Sequence, residues 1–530
     1  MSQALASVKY SSILPLGKTS NYKEQEKLQF EIPSRYMYLD GKQSYLYLEV
    51  DNTSTFNGTT TYAPCIYQPH IGVSSLVERV QLQELVGSKD IEDIDGYNTF
   101  TGIRYSYGND FDTYDTLAKV EQVSAHNPLP IHASIGKPEN QYFVTQANET
   151  FVGGNVAITA SSCMPLHLGM FSNFEQDDHK VFPNGPLGGT RLNLYLEKSK
   201  VALNEPANVF VRNTAKNISE TVGIGLSGDV ELDDTTAADT EVKIKLSECD
   251  MSQTPITNIS YRVGMPVNIM VDENTVDVST TIQAIEKDGN QLKITLNNAV
   301  VTGSNTALIK CPSIDFSYNI KKAELRVLET LPSNINEIQK ALASGINYKT
   351  VQLNKLSSPA GLVNTILDLP AVVERGNSVL VSPCIADDLD VAGFNNSRMY
   401  PQQEDNNTNN YQFQIQNYLI PNRSVLINKI VNAASDNTLY YQQLTMAMRT
   451  FLETRCFNDG LDGQVGELSN PLVFPLQLAP TNTSYRLIDS EPQLRITNSS
   501  SGNTKAKLYY VYTIHTRKLM TTNEGNVVEL

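Results

Sequence analysis

The sequence has 530 residues, with 41 lysines and arginines against 57 aspartates and glutamates, which gives a formal net charge of −16. At roughly 100–200 residues per unit, a chain of this length forms several structural units, and its 40% hydrophobic residues can fill their cores. Nonspecific binding to nucleic acid depends on Lys and Arg side chains that displace counterions from phosphates. The acidic balance therefore argues against a nucleic-acid-binding protein, and we predict no sequence-specific contact with nucleic acid.

The sequence also favours a protein without membrane anchor or disulfides. No run of about 18 apolar residues is present, so we predict no transmembrane segment. Residues 1–18 contain neither a basic n-region nor a continuous apolar segment, and we expect no secretory signal. The six cysteines lie at least 62 positions apart. This dispersion predicts buried free thiols in a reducing compartment.

Strand patterns dominate from the beginning of the chain. Between residues 36 and 50, two apolar runs flank Asp40 and Gly41, which predicts a β-hairpin with its turn at this pair. Residues 192–198 and 318–328 alternate apolar and polar side chains, as half-buried strands do, and we expect them to be neighbours in one sheet. Residues 508–514 are apolar on both faces, so we expect that strand to lie between two packed layers.

Residues 204–312 differ in character from the segments on either side. The first part of this segment is rich in small and acidic residues, and short strands with alternating apolar and polar residues follow. Asp288 and Gly289 separate two of these strands and predict a second hairpin. Because long excursions from a loop cost little closure entropy, we predict a small β domain inserted between the strands at 192–198 and 318–328.

Predicted helices are few and short. Asn334 followed three residues later by Glu337 has the form of a capping box, and Gly345 can end that helix. The longest candidate helix begins near Asp436 and ends before Gly460. Long loops between strands, with isolated helices, predict a β-sandwich or barrel architecture rather than alternating βαβ units.

Two short motifs could carry ligand chemistry, and we interpret both as structural. Residues 223–228 match G-x-G-x-x-G, but the acidic stretch after them has no helical pattern, and its carboxylates would repel a pyrophosphate. The motif therefore indicates a flexible linker. Asp387, Asp388 and Asp390 could bind calcium, but they lack the glycine and the final Glu of a calcium loop. A solvated loop tip is the simpler interpretation.

One cluster contains metal-type residues, namely Cys163, His167, His179, Asp177 and Asp178. Structural zinc sites have closer paired spacing than this cluster shows, so a core cysteine with surface histidines is the simpler interpretation. No G-x-S-x-G, H-E-x-x-H or P-loop signature is present. We therefore predict no catalytic, metal or cofactor-binding residues, no cofactor, and a protein that is not an enzyme.

Three stretches carry a family resemblance in their order and spacing. The first contains Lys9-Tyr10-Ser11-Ser12-Ile13-Leu14-Pro15 and Phe30-Glu31-Ile32-Pro33. The second contains His70-Ile71-Gly72, Leu76-Val77-Glu78-Arg79-Val80, and a strand with a short helical turn that ends at Tyr97-Asn98. The third runs from Phe182-Pro183-Asn184-Gly185 into Leu192-Asn193-Leu194-Tyr195-Leu196. Together they resemble the double jelly-roll major capsid proteins of virophages and polinton-like viruses, relatives of the adenovirus hexon lineage.

The resemblance implies an all-β fold of two tandem eight-stranded jelly rolls with long loops and short helices, plus the small inserted β domain. Two such rolls with decorated loops account for about 400 residues. We expect the terminal arm and tail to become ordered only against neighbouring subunits. The predicted divisions are 1–19 (N-terminal arm), 20–203 with 313–332 (first jelly roll), 204–312 (inserted β domain, a candidate surface tower), 333–344 (linker helix), 345–520 (second jelly roll) and 521–530 (C-terminal tail).

The resemblance further implies a structural role in the capsid of a virion assembled inside the host cell. Pseudo-hexagonal homotrimers would tile an icosahedral shell around a DNA genome. Their partners would be neighbouring trimers, penton proteins and minor capsid proteins. An alternative is a viral spike or attachment protein, or a glycan-binding β-sandwich protein in which tyrosines replace the absent tryptophans. Self-assembly into hexagonal arrays, compared with binding on a glycan panel, separates these functions.

Overall fold

The structure is a computed structural model, and the statements below concern the residues that it describes. These are 9–57, 62–63, 65–68, 71–108, 120–121, 158–172, 181–204, 230–233, 239–244, 264, 266–270, 275–288, 291–301, 308–310, 312–332, 335–370, 372–390, 398–399, 408–426, 438–448, 473–479, 483–488, 490–499, 502–522 and 525–529.

Strands outnumber helices throughout the described chain. The strands before the insertion are β1 (Lys9–Ile13), β2 (Lys27–Pro33), β3 (Leu39–Asn52), β4 (Thr55–Phe56), β5 (Ile66–Tyr67), β6 (Val77–Glu84), β7 (Asp90–Asp95), β8 (Ile158–Pro165), β9 (Gly189–Leu196) and β10 (Leu203–Asn204). The strands of the insertion, and of the segment that follows it and completes the first half, are β11 (Val230–Asp233), β12 (Glu241–Ile244), β13 (Pro266–Met270), β14 (Val276–Asp288), β15 (Gln291–Leu296), β16 (Leu308–Lys310), β17 (Ile314–Asp315) and β18 (Tyr318–Glu329).

The remaining strands are β19 (Ile346–Ser358), β20 (Asn364–Asp368), β21 (Gly376–Ile385), β22 (Thr408–Ile415), β23 (Tyr418–Leu426), β24 (Phe474–Gln477), β25 (Gln493–Asn498), β26 (Lys507–Thr522) and β27 (Gly525–Glu529). The helices are α1 (Tyr97–Gly108), α2 (Gly169–Ser172), α3 (Ser199–Ala202), α4 (Ile335–Ser344) and α5 (Thr438–Met448). Two 3-10 turns span Gly72–Leu76 and Ala386–Asp388.

Eight strands of the first half form two four-stranded antiparallel sheets. The first sheet has the order β1-β18-β3-β8, and the second has the order β2-β9-β6-β7. If these eight strands are numbered along the chain, the two sheets read 1-8-3-6 and 2-7-4-5, which is the strand order of a jelly roll.

The second half repeats this order. Its sheets are β19-β26-β21-β24 and β20-β25-β22-β23, which again read 1-8-3-6 and 2-7-4-5. The chain therefore contains two eight-stranded jelly rolls, and the predicted all-β fold class is confirmed. The strand β27 extends β26 as a terminal hairpin, with Leu519 paired to Val528.

The core of each roll lies between its two sheets. In β2 the inward side chains Leu28, Phe30 and Ile32 are fully buried, and polar residues alternate with them. Strand β26 differs, because its residues 509–515 are all buried. The prediction that this strand lies between two layers is confirmed. One of its faces covers the core of the second roll, and Tyr512 on β26 reaches Gly96 of the first roll.

The predicted hairpin at Asp40 and Gly41 is wrong, because both residues belong to the single strand β3. The pairing of β3 with β18 shifts between Arg326 and Leu328, so the four residues after Asp40 bulge out of the ladder. A Cβ atom at Gly41 would stand 1.7 Å from the carbonyl oxygen of Phe171. Here the glycine permits a close backbone approach within a bulged strand.

The expectation that strands 192–198 and 318–328 are sheet neighbours is also wrong. Strand β9 lies in one sheet of the first roll, and β18 lies in the other. Alternation of apolar and polar residues identifies a half-buried strand, but it does not specify the sheet to which the strand belongs. The two strands are consecutive in the roll and belong to its opposite sheets.

Parts of both termini pair within the chain, which corrects the expectation that they become ordered only against neighbours. Within the predicted arm, β1 pairs with β18 from Lys9 to Ile13. Within the predicted tail, β27 pairs with β26. Main-chain hydrogen bonds stabilise these edge strands without any core-facing periodicity, so their sequences give no sign of the pairing.

The predicted insertion contains a closed six-stranded barrel in the order β11-β12-β15-β14-β13-β16. Its predicted hairpin is confirmed, since Asp288 pairs with Gln291 across the loop. Two short ladders precede and follow the barrel, because β10 pairs with β5 and β17 pairs with β4. The domain boundaries given above stay a prediction.

Both predicted helices are present. Helix α4 ends at Ser344, and the next residue, Gly345, has a positive φ of 100° and donates its amide hydrogen to the Ala341 carbonyl. Its predicted cap Asn334 lies outside the described residues. Helix α5 packs against β24 and β21, with Leu444 buried. Residues 449–460 of this candidate helix are not described either. The Tyr97-Asn98 pair was expected to end a short helical turn. In the structure it begins helix α1, so that expectation is wrong.

Replacing Gly345 with alanine is expected to lower the free energy of unfolding by about 1–2 kcal/mol. The left-handed backbone disfavours a side chain, and a Cβ would stand 2.0 Å from the Lys518 side chain. The matched control is Gly361→Ala, where φ is +85° and nothing lies within 4 Å of the added atom. Thermal unfolding should show a larger loss for Gly345→Ala. Equal losses would mean that the Lys518 contact has no effect.

Candidate functional site: the junction between the two jelly rolls

The first part of the junction is the meeting of two edge strands, β7 of the first roll and β19 of the second. The Tyr348 hydroxyl donates a hydrogen bond to the Ile91 carbonyl, and Arg517 Nη1 donates to the same oxygen at 3.5 Å. Further along, Lys355 pairs with Asp95 at 3.6 Å. Residue numbers increase in the same direction on both strands, so corresponding ends of the two rolls lie side by side.

A buried carboxyl group joins the rolls at this seam. Glu92 is fully buried and accepts hydrogen bonds from the amides of Gly169 at 2.7 Å and Met170 at 3.1 Å, both in the first roll. The Thr350 hydroxyl of the second roll donates to the same side chain at 2.8 Å. Burial raises the pKa of Glu92 to about 7, although these donors and Arg517 act to lower it.

Close backbone packing surrounds this carboxyl group. A Cβ atom at Gly169 would stand 1.5 Å from the carbonyl oxygen of Lys349, so only glycine allows the second roll to approach here. Gly96 has a similar role further along the seam, where a Cβ would stand 2.8 Å from Leu353 of the second roll.

A second contact joins the opposite end of the rolls. Arg398, from the loop between β21 and β22, forms an ion pair with Glu197, and the two side chains are 8% and 2% exposed. The side-chain amide nitrogen of Asn98 donates to the Glu197 carboxylate at 3.0 Å, and Arg398 donates to the side-chain oxygen of Asn98 at 3.4 Å. The adjacent Met399 packs with two first-roll side chains, Ile71 and Val201.

Two ends of the junction are thus fixed by hydrogen-bonded, buried charges. Such groups hold a defined geometry, because any displacement leaves a charge without its partner in a low-dielectric interior. The arrangement can fix the angle and offset between the rolls.

A further buried cluster lies inside the first roll. The Tyr105 hydroxyl contacts His167 Nε2 at 2.6 Å and also donates to Glu121, while the His167 amide donates to the Tyr97 hydroxyl at 3.0 Å. Burial raises the pKa of Glu121 to about 8 and lowers that of His167 well below its usual value. These polar side chains bond to one another and connect α1 to the segment after β8.

The five metal-type residues, for which no metal site was predicted, are not brought together in the described chain. Cys163 lies on β8, and His167 is held by Tyr105. His179, Asp177 and Asp178 lie outside the described residues, as does the glycine motif at 223–228. Among the residues that are described, no three His, Cys, Asp or Glu side chains could hold a metal ion together.

The acidic loop tip has a structural role instead. Asp390 pairs with Lys198 of the first roll at 2.6 Å, and Asp388 pairs with Lys505 at 3.5 Å. Sequence reasoning did not find Glu92, Glu197 or Arg398. Each is a single charged residue without a surrounding motif, and its importance comes from a contact more than a hundred positions away.

Two side-by-side jelly rolls of identical strand order in one chain define a double jelly-roll protein. No family model and no curated protein sequence matches the chain. Among solved structures it is similar to the Faustovirus major capsid protein, with a TM-score of 0.50 and 9% identity over 97% of this chain and 90% of that one. The likeness shows a common fold along nearly the whole chain.

Two further structures are similar at lower scores. The PBCV-1 virus capsid has a TM-score of 0.47 and 10% identity over 99% of this chain and 96% of that one. The mavirus major capsid protein has a TM-score of 0.45 and 10% identity over 100% of this chain and 91% of that one. In the described residues we also find no helix that is both long and apolar enough to cross a membrane.

Proposed function

We propose that this chain is the major capsid protein of a virus and builds a shell from homotrimers. The observation that carries the proposal is the pair of jelly rolls with one strand order, which lie side by side and point in the same direction. The fold shared with the Faustovirus major capsid protein supports it. In this role the protein is a structural component of the virion, assembled inside the host cell, and has no enzymatic activity.

The arrangement of the rolls favours a threefold assembly. Three chains around an axis would place six similar rolls in a ring, and such a pseudo-hexagonal tile packs into a lattice on an icosahedral shell. Closed cyclic symmetry is the usual solution for a single repeated chain. The buried charges at Glu92 and Arg398 would keep every tile the same shape. Neighbouring trimers, penton proteins and minor capsid proteins would be the partners.

The charge of the chain suits a shell rather than a packaging protein. A net charge of −16 does not attract DNA phosphates nonspecifically, so other basic proteins or ions would neutralise the enclosed genome. The inserted barrel is attached at the end of the first roll that carries the long loops. It is therefore a candidate tower on the outer surface.

The purified protein is expected to have three times the mass of the 58.6 kDa chain in solution. Light scattering after size-exclusion chromatography measures that mass, and negative-stain microscopy at high protein concentration should show hexagonal arrays. A stable monomer that forms no arrays contradicts the proposal. Binding on a glycan panel by such a monomer would instead support the attachment-protein alternative.

A further inference from the structure

Helix α1 takes part in two separate sets of contacts. Within the first roll, the Tyr97 hydroxyl accepts a hydrogen bond from the His167 amide at 3.0 Å, and the Tyr105 hydroxyl contacts His167 Nε2 at 2.6 Å. Toward the second roll, the side-chain oxygen of Asn98 accepts a hydrogen bond from Arg398 at 3.4 Å. The helix therefore joins the polar cluster inside the first roll to the junction between the rolls.

Another side chain of α1 also reaches the second roll. The ring centroid of Phe100 lies 5.6 Å from that of Tyr512 on β26, and both side chains are fully buried. A helix moves as a rigid element, so a change of its position at one contact is transmitted to its other contacts. A displacement of α1 at the polar cluster would therefore also displace the side chains that it places at the junction.

The polar cluster requires two hydrogens between three atoms. The Tyr105 hydroxyl oxygen lies within hydrogen-bond distance of both the Glu121 carboxyl group and His167 Nε2. The hydroxyl supplies one hydrogen, so the second has to come from one of its two neighbours. When Glu121 is ionised, Tyr105 donates to it, and His167 carries its hydrogen on Nε2. When Glu121 is protonated, it donates to Tyr105, which donates to Nε2, and the imidazole hydrogen is on Nδ1.

The two arrangements differ by one proton, which Glu121 releases to water or takes from it. The imidazole stays neutral in both, since its hydrogen only changes between the two ring nitrogens by exchange with water. Burial lowers the pKa of His167 well below its usual value, which keeps the ring neutral, and burial raises the pKa of Glu121 to about 8. The cluster therefore changes its arrangement at mildly alkaline pH.

The groups around Glu121 determine what its ionisation does. In the described chain, Arg104 and Tyr97 of α1 and Cys163 of β8 are the other titratable groups that interact with it. The 3-10 turn beside it has no titratable side chain, and its Val73 amide donates to the Glu121 carbonyl at 2.8 Å. Arg104 lowers the pKa of the carboxyl group, but burial has the larger effect. Ionisation therefore destabilises the packed cluster, and a movement of α1 that admits water relieves it.

We propose that Glu121, Tyr105 and His167 form a proton switch that acts through α1 on the contact between the two jelly rolls. While Glu121 is protonated, α1 is held against the segment after β8, and Asn98 and Phe100 keep their places at the junction. Loss of the proton loosens the cluster and weakens the contact between the rolls. The inference concerns a single chain and does not depend on the proposed assembly.

The test uses one tryptophan at the junction, because the chain has none of its own. Lys355 is exposed, pairs with Asp95 just before α1, and stands 5.2 Å from the ring centroid of Tyr510, so Lys355→Trp reports on this seam. The reporter protein also carries Glu92→Gln, since Glu92 titrates at the same seam. We expect its emission to shift to longer wavelength as the pH rises, with a midpoint at about pH 8.

Two further substitutions in the reporter protein assign this shift to the cluster. Glu121→Gln should abolish it, because glutamine cannot ionise. Tyr105→Phe should move the midpoint to higher pH, because the ionised carboxyl group loses a donor that lowers its pKa. The matched control Glu374→Gln alters an exposed carboxylate of the second roll and should leave both the shift and its midpoint unchanged.

Three results would overturn the proposal. The first is an emission of the reporter protein that stays constant between about pH 6 and pH 9. The second is a shift that Glu121→Gln leaves in place. The third is a midpoint that Tyr105→Phe does not move, which decides the matter if Glu121→Gln fails to fold. Denaturant unfolding is measured in parallel. A pH-dependent loss of stability that Glu121→Gln removes, without any change in emission, would also refute the coupling to the junction.

Discussion

Replacing Arg398 with alanine is expected to lower the free energy of unfolding by about 3–5 kcal/mol. The substitution leaves Glu197, which is 2% exposed, as a buried charge without its cation. The remaining donors, the side-chain amide of Asn98 and the backbone amide of Lys198, are neutral and do not balance that charge. Because the pair joins the two rolls, we also expect limited proteolysis to separate them sooner in the variant. Denaturant unfolding of the purified protein measures the loss.

A variant that removes both charges separates the ion pair from other effects of the substitution. The variant Arg398→Met/Glu197→Gln removes both charges, and we expect it to recover most of the loss, since a buried pair can be replaced by neutral groups at little cost. The matched control is Lys355→Ala, which removes an exposed pair at the same junction and should cost less than about 1 kcal/mol. Equal losses for Arg398→Ala and Lys355→Ala would contradict the assignment.

The stability of the protein is expected to fall as the pH rises through neutrality, in part because of Glu92. Its pKa is about 7 in the folded chain against 4.5 for an unperturbed glutamate, so the folded state binds the proton more tightly. The stabilisation is complete below about pH 4.5 and is lost as the pH rises through 7. Between about pH 5.5 and pH 8.5, Glu92 alone should account for about 2 kcal/mol.

The variant Glu92→Gln isolates this contribution, because glutamine cannot ionise. Its unfolding free energy should depend less steeply on pH than that of the wild type, with the largest difference between about pH 5 and pH 7. Glu121 contributes a slope of the same sign in both proteins, so it cancels in the comparison. The control Glu374→Gln alters an exposed carboxylate and should leave the slope unchanged. An unaltered slope in Glu92→Gln would refute the prediction.

Local patterns in the sequence predicted individual strands better than their partners. The alternation at Leu192, Leu194 and Leu196 identified a half-buried strand, and the structure buries all three side chains. The same alternation gave the wrong sheet partner, since periodicity describes one face of one strand. Asp40 and Gly41 match the preferred residues of a hairpin turn, yet the contact with Phe171 places them inside a strand. That contact joins positions 130 residues apart, beyond the reach of a local pattern.

The junction was harder to predict than the fold. Apolar side chains are usually buried, so the run of apolar residues at 508–514 correctly predicted a buried strand. Glu92, Glu197 and Arg398 are charged, and charged residues are usually on the surface. Their burial depends on partners in the other roll, and one sequence contains no record of which residues meet across two domains.

The two short ladders that flank the inserted barrel make it a separable module. Entry strand β10 and exit strand β17 pair with β5 and β4, which belong to one connection of the first roll. Whatever sequence lies between β10 and β17 therefore starts and finishes at one anchored place, and its own folding does not disturb the sheets. Such an anchorage would allow the inserted barrel to diverge while the two rolls stay constant. If the protein forms the proposed capsid, the same position could carry a foreign domain in many copies on each particle.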